Sequence, residues 1–235
     1  MNTVVIGASQ GLGLELLRSL LREGHAVVAG VIEREPPAEV AALAAGSGGL
    51  LTVLHADVTD EVGIAAVAAA VADRFGPQGL DALVNVAGVL LRNDKVCDLL
   101  TADIAELRRS LDVNAVGAVI VLQHFYPIFR KDGRGVLLTV TSEAGSMTVN
   151  GRIYPAYSIS KAAANKAVAV MNQTVSDVRI LAVHPGRMNT EMGRVHAQIE
   201  PAVSADAIVR LMAGEVVPAA GAGWFVNYLG EPMTI

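Results

Sequence analysis

In the second half of the chain, the stretch "TSEAGSMTVNGRIYPAYSISKAAANKAVAVM" brings together Ser142, Tyr157 and Lys161, whose side chains can handle a proton. Tyr157 and Lys161 are four residues apart in a segment that becomes alanine-rich, so on a helix both project from the same face. A phenol titrates at about 10 in water, and an adjacent ammonium stabilises the phenolate and brings proton exchange closer to neutral pH. Such a tyrosine can protonate a carbonyl oxygen while hydride arrives at the carbon, or take the alcohol proton in reverse. Ser142, just after an apolar run, can donate a second hydrogen bond to that oxygen. The plainer readings are a Tyr/Lys pair that only packs its stems and a serine that only caps a turn. Tyr154 is a second phenol close by, but Pro155 follows it and disfavours a helical conformation there. Tyr157 is therefore taken as the acid/base and Tyr154 as pocket lining.

Hydride needs a carrier, and the chain opens with a candidate seat for one. In "IGASQGLG" (Ile6 to Gly13), Gly7, Gly11 and Gly13 follow an apolar run and precede the helix-like "LELLRSLLREG". Repeated glycine in a tight turn implies that a Cβ would collide or that φ must be positive. A strand, a glycine turn and a helix N-terminus form an anion site, because unpaired N–H groups and the helix dipole point at the turn. The pattern G-x-x-x-G-x-G differs from G-x-G-x-x-G, and by itself it is equally an ordinary strand-to-helix turn. Further along, Asp57 in "HADVTD" and Asn85 in "NVAG" follow apolar runs and can each cap the next helix, while Asp60 reads as a helix-start carboxylate. After the second apolar run, "AGVIEREPP" sets Val31 and Ile32 at the positions that normally read the adenosine ribose, with Glu33 and Arg34 just beyond.

These residues need a scaffold. Seven apolar runs of strand length, "TVVIG", "HAVVAGVI", "LLTVLHA", "DALVNVA", "GVLLTVT", "VRILAVHP" and "GWFVNY", alternate with helical segments such as "VGIAAVAAAVADRF" and "IAELRRSLDVNAVGAVIVLQHFYPIF". That alternation predicts βαβ units and a single-domain α/β, Rossmann-type, doubly wound parallel sheet of about seven strands with helices on both faces. One domain over 1–235 is expected, with 235 residues and no linker, charge block or repeat. Hydrophobic residues at 52% and charged residues at 17% suit a sheet buried on both faces. The net charge of -5 and scattered Lys and Arg argue against nucleic acid as a partner. A lone Cys97 excludes an internal disulfide and a multi-cysteine metal site. The start "MNTVVIGAS" has no positive n-region, and the apolar stretches read as too short or too interrupted to span a bilayer. A cytoplasmic protein with no membrane partner is the expectation.

Together these stretches resemble the short-chain dehydrogenase/reductase family over essentially the whole length. The family's glycine turn matches "GASQGLG", its adenine-side aspartate Asp57 in "ADV", and its N-N-A-G motif "NVAG". Its asparagine matches Asn114 in "DVNAVG", its serine Ser142, its Y-x-x-x-K "YSISK", and its P-G loop "HPGRMNT". The ending "GAGWFVNYLGEPMTI" and the short stretch after Thr190 resemble the branch of small carbonyl reductases and C-factor-type signalling proteins. Departures are Ile6 where threonine is usual, Gln10 where NADP-preferring members often carry a basic residue, and Val86 where the second asparagine is common.

The resemblance implies an NAD(P)-dependent oxidoreductase interconverting a carbonyl and a secondary alcohol, with Asn114, Ser142, Tyr157 and Lys161 as catalytic residues. Tyr157 would donate the proton, Ser142 anchor the carbonyl, and Lys161 lower the phenol's pKa and hold the nicotinamide ribose. Asn114 would hold a water leading from Lys161 to solvent. Gly7, Ser9, Gln10, Gly11, Leu12 and Gly13 would cradle the pyrophosphate, and Arg34 the adenosine end. Asp57 and Val58 would hold the adenine, Asn85, Ala87 and Gly88 the adenosine side of the cleft, and Pro185, Gly186, Met188 and Thr190 the nicotinamide. An inward Glu33 would favour NAD and an inward Arg34 NADP; NADP(H) is the expected cofactor, with NAD(H) possible. The substrate, a small carbonyl or alcohol, would lie against Ser142, Met147, Tyr154, Tyr157 and Met192 beneath a short segment around 187–204, with Val149 and Ile153 adding an apolar wall and His196 in the same segment. A homodimer or homotetramer through the helices carrying Asn114 and Tyr157 is expected from the small and apolar residues of "SKAAANKAVAVM". The alternative function is a dinucleotide-binding signalling protein of C-factor type with little or no turnover.

Overall fold

Alternate residues of each strand feed two separate cores, and this decides the architecture. Val5 packs with the helix residues Leu16, Leu20, Ile208 and Leu211, whereas Val4 and Ile6 pack with Ile64, Val71, Val121 and Phe125. A strand buried on both faces is apolar nearly throughout, and all six residues of β5 (GVLLTV) are buried. A computed structural model supplies the architecture and describes residues 1–148, 154–193, 197–218 and 223–235.

The strands are β1 (Asn2–Ile6), β2 (Ala26–Val31), β3 (Leu51–His55), β4 (Ala82–Asn85), β5 (Gly135–Val140), β6 (Val178–His184) and β7 (Phe225–Asn227). They form one sheet in the order β3-β2-β1-β4-β5-β6-β7, every pair parallel. The helices are α1 (Gly11–Arg22), α2 (Ala38–Gly46), α3 (Glu61–Phe75), α4 (Ile104–Leu111), α5 (Gly117–Phe125), α6 (Pro155–Thr174) and α7 (Pro201–Met212). Helices α1, α2 and α7 cover one face, and α3, α5 and α6 the other. The doubly wound α/β fold expected from the alternation of runs is the fold found. Strand order reverses between β1 and β4, the position at which such sheets bind ligands beyond the strands' carboxyl ends.

The segment from Ile104 to Ile128 is helical, as its spacing predicts, with Asp112–Val116 forming a π turn between α4 and α5 that carries Asn114. The same run is 25 residues long and contains an 18-residue window of mean hydropathy 1.3, long and apolar enough by length and composition to cross a membrane, contrary to the reading of the apolar stretches as too short or too interrupted. Its apolar character has a structural cause. Val113, Ala118, Val121, Leu122 and Phe125 are buried beneath the sheet.

Candidate active site

The glycine turn shows why no larger residue fits. Gly7 has φ +87°, and a Cβ there would lie 2.6 Å from the Ala87 amide nitrogen. One on Gly13 would lie 2.1 Å from the Gly7 carbonyl oxygen. The turn is held by Gly7 and Ala8 amides donating to the Gly30 carbonyl at 2.9 and 3.0 Å. Gln10 at the N-cap of α1 supplies no side-chain bond, so nothing in the turn occupies the helix's first amides. An uncapped N-terminus lined by glycine backbone fits a phosphate-bearing ligand.

The neighbouring strand ends close on this cradle. Asn85 Oδ1 accepts from the Ala87 amide at 3.2 Å, shaping the "NVAG" turn directly across from Gly7. Asp57 Oδ1 accepts from the Thr59 amide and hydroxyl at 2.9 and 2.7 Å, and the cap of α3 is instead Asp60, which accepts from Gly63. Burial works to raise the Asp57 pKa, but the Thr59 hydrogen bonds, aided by Arg109 and His55, outweigh it and the net shift is downward. Val58 is buried against Gly117. In the loop after β2, the residue drawn to the glycine turn is Glu33, whose carboxylate accepts from Ser9 Oγ at 2.5 Å, while Arg34 lies exposed.

On the other side of the reversal, Tyr157 and Lys161 stand one turn apart on α6. Lys161 is 4% exposed and its Nζ donates to the Val140 carbonyl at 2.9 Å. Burial lowers its pKa to about 8. Tyr157 is pushed up to about 12 by loss of water, with the Ser142 hydroxyl pulling the other way. This corrects the expectation that Lys161 lowers the phenol's pKa in the chain by itself. The ammonium lies 5.6 Å from the ring centroid, with one N–H bonded to the Val140 carbonyl, and desolvation of the phenol is the larger effect. Ser142 Oγ also accepts from the Ala144 amide at 3.1 Å, so its oxygen is oriented and its proton is free to donate elsewhere.

Asn114 is buried at 2% exposure and its side chain is already committed. Oδ1 accepts from the Val89 amide at 2.7 Å, and Nδ2 donates to the Val89 carbonyl and Ser160 Oγ, each at 2.9 Å. Its side chain thus braces the segment after β4, and any water it holds must be met by its backbone in the π turn. Gly88 lies in this contact: a Cβ there would sit 3.1 Å from Asn114 Oδ1 and 3.2 Å from Lys161 Nζ.

The loop after β6 completes the cleft. Gly186, with φ +83°, packs where a Cβ would meet Ile199 Cδ1 at 2.7 Å, and Gly11 faces Thr190 Cγ2 at 3.6 Å. Met188 pairs with Ile199, so the segment following Pro185 folds back toward α7. Tyr154 is the one non-glycine residue with positive φ among the described residues, at φ 61° and ψ 52°. Met147 is 81% exposed and Met192 is also exposed. Val149, Ile153 and His196 lie outside the described residues.

Three features here were not singled out from the sequence. Glu143, adjacent to Ser142, pairs with Arg187 at 2.6 Å and donates its amide to His184 Nδ1 at 3.3 Å, strapping the loops after β5 and β6 together. The Arg187 bond lowers the Glu143 pKa although burial opposes it, and burial lowers that of His184. Asp94, buried after β4, binds the first amides of α6. The π turn at Asn114 is the third.

The short chain dehydrogenase profile matches residues 1–200. The chain belongs to the short-chain dehydrogenase family. It is 34% identical over 191 residues to an estradiol 17-beta-dehydrogenase 2 from Rattus norvegicus, a match that spans 80% of this chain and 48% of that protein. Its fold superposes on the carbonyl reductase Sniffer of D. melanogaster with a TM-score of 0.89 at 23% identity, covering 99% of this chain and 98% of that one. A carbonyl reductase from Pseudomonas aeruginosa PAO1, solved in complex with NADP, is 25% identical with a TM-score of 0.82 and full coverage of both chains. This short-chain dehydrogenase is an NAD(P)-dependent oxidoreductase for carbonyl and alcohol groups.

Proposed function

We propose that the chain reduces a small aldehyde or ketone with Tyr157 as proton donor, the reverse oxidation using the same groups. The observation that carries this reading is the meeting of Ser142, Tyr157 and the buried Lys161 in one cluster beside an uncapped glycine cradle. A nicotinamide bound there supplies the hydride. Ser142 donates a hydrogen bond to the carbonyl oxygen, Tyr157 Oη passes its proton to the same oxygen, and the Lys161 ammonium favours the phenolate left behind. Gly7, Ser9, Gln10, Gly11, Leu12 and Gly13 are proposed to hold the pyrophosphate. Asp57, Val58, Asn85, Ala87 and Gly88 are proposed for the adenosine side, and Pro185, Gly186, Met188 and Thr190 for the nicotinamide.

NADP(H) is the proposed cofactor, supported by the NADP-bound carbonyl reductase of similar fold; the Glu33 carboxylate on Ser9 supports use of NAD(H) as well. A dinucleotide-binding regulator without turnover would use the cradle equally well but has no need of three proton-handling groups gathered beside it. Following nicotinamide absorbance with a panel of aldehydes and ketones separates the two: oxidation of the reduced cofactor is expected, and tight cofactor binding with no turnover across the panel would favour the regulator. A homo-oligomer is proposed from exposed Val116 beside α5 and Ile159 and Val170 on α6, at 52%, 40% and 52%. Sedimentation as a monomer at micromolar concentration would refute it.

A further inference from the structure

The first turn of α6 carries Tyr157, and its own sequence cannot cap it. Pro155 at the first helical position has no amide hydrogen, and Tyr154 before it offers no side-chain acceptor. The Ser158 amide reaches the Tyr154 carbonyl at 2.8 Å, leaving those of Ala156 and Tyr157. Both go to one carboxylate from far along the chain: Ala156 N donates to Asp94 Oδ1 and Tyr157 N to Asp94 Oδ2, each at 2.8 Å. Asp94 is only 2% exposed, and no Lys, Arg or His forms a salt bridge with it among the described residues. The buried negative charge is matched by two amides and by the positive end of a twenty-residue helix.

The short turn holding Asp94 (Asn93–Lys95) is itself pinned. Asn93 Nδ2 donates to Glu106 Oε1 at 2.9 Å on α4, and Lys95 Nζ reaches the Met192 carbonyl at 3.5 Å in the segment beyond β6. Lys161 does not need this anchor. Its Nζ is held by Val140, and its backbone lies so close to Gly145 that a Cβ there would be 2.7 Å from the Lys161 carbonyl carbon. Tyr157 lies in the turn that frays first when its amides lose their partners.

We propose that Asp94 is a positioning residue for the proton transfer: by clamping the Ala156 and Tyr157 amides it fixes the Tyr157 hydroxyl opposite Ser142. This rests on the reading of Tyr157 as proton donor and extends it to a buried residue that acts through the backbone of α6. A displacement of roughly 1 Å in a reacting group can cost about a hundredfold in rate. A clamp that served stability alone would have no selective effect on kcat.

The test compares Asp94→Ala, Asp94→Asn and Tyr157→Phe in the full chain. The measurements are kcat and KM with a carbonyl that the parent reduces, and the Kd of the reduced dinucleotide from its own fluorescence. Asp94→Ala is expected to lower kcat by about 10- to 100-fold while dinucleotide Kd stays within about twofold. Asp94→Asn keeps one carbonyl oxygen as acceptor and is expected to recover part of that loss. A kcat in Asp94→Ala within about twofold of the parent would overturn the proposal, as would a fall in kcat matched by an equal loss of dinucleotide affinity. If the alanine variant does not fold, Asp94→Asn decides by the same criteria. Full turnover in Tyr157→Phe would remove the underlying reading, whereas an inactive Tyr157→Phe beside unimpaired Asp94 variants would remove this proposal alone.

Discussion

The two halves of the cleft are built by opposite means. On the β1 side, the surface around the glycine turn is backbone: Gly7 and Gly13 leave room for no Cβ, and the amides at the start of α1 carry no side-chain cap. On the β5 side, the surface is made of side chains, with Ser142, Tyr157 and Lys161 brought in from a loop and a helix and burial shifting the last two away from their ordinary pKa values. Shape decides the first half, and functional groups decide the second. A change of volume should therefore be most damaging beside β1, and a change of one atom most damaging beside β5.

Gly13→Ala probes the first half. Its Cβ would sit 2.1 Å from the Gly7 carbonyl oxygen, a rigid backbone atom, so the strand-to-helix turn must move. Dinucleotide binding is expected to fall below detection in a fluorescence titration, and overpacking to cost about 1–3 kcal/mol of stability. Unchanged affinity in the alanine variant would show that the turn is not shape-limited and would erase the contrast between the halves.

The second half should reveal itself in pH rather than in shape. Lys161 has its pKa lowered to about 8 by burial, so its positive charge is present below that pH and lost as pH rises through it. The kcat/KM for carbonyl reduction, which reports the free enzyme, is expected to fall on that alkaline limb. Linkage runs the opposite way for stability. The folded state releases this proton more readily than the unfolded chain, so folding gains stability as pH rises above about 8 toward the ordinary lysine value. A rate limb first appearing at the ordinary lysine pKa would show that Lys161 is not desolvated in the working enzyme.

The smallest expected effect lies at the outer rim of the glycine half, at Glu33. Its carboxylate binds Ser9 at the rim of the glycine turn, where a 2′-phosphate would meet a like charge. Glu33→Gln is expected to shift the ratio of kcat/KM for NADPH over NADH toward NADPH by about tenfold at most, since both side chains are exposed. Arg34→Ala is the companion measurement: an NADPH preference carried by that guanidinium would fall. A ratio unmoved by either substitution would place cofactor choice elsewhere in the cleft.

How much of this was legible in the sequence follows the same division. Seven apolar runs became seven strands because a doubly covered sheet demands apolar residues on both faces, and that demand is written locally. The glycine turn and the Tyr157–Lys161 spacing were legible for the same reason, since each is a requirement on neighbours within one turn. What stayed hidden depends on contacts between distant segments. Nothing within "LRNDKVCDLL" links Asp94 to amides more than sixty positions later, and Glu143 and Arg187 meet only because β5 and β6 are adjacent. The π turn at Asn114 had no spacing signal, because the apolar pattern of α4 and α5 runs through it. The direction of the Tyr157 shift was also misjudged. Spacing on a helix says that a phenol and an ammonium share a face; it does not say how much water the fold removes from the phenol.

The account stands on Tyr157 as the proton donor, and Tyr157→Phe tests this most directly because it removes one oxygen and leaves the ring packing. The turnover of a carbonyl by this variant, measured together with its dinucleotide Kd, should show kcat reduced by about 10²- to 10⁴-fold with Kd within a few-fold of the parent. Turnover above roughly a tenth of the parent, with the cofactor still bound, would contradict the account and return the search to Tyr154.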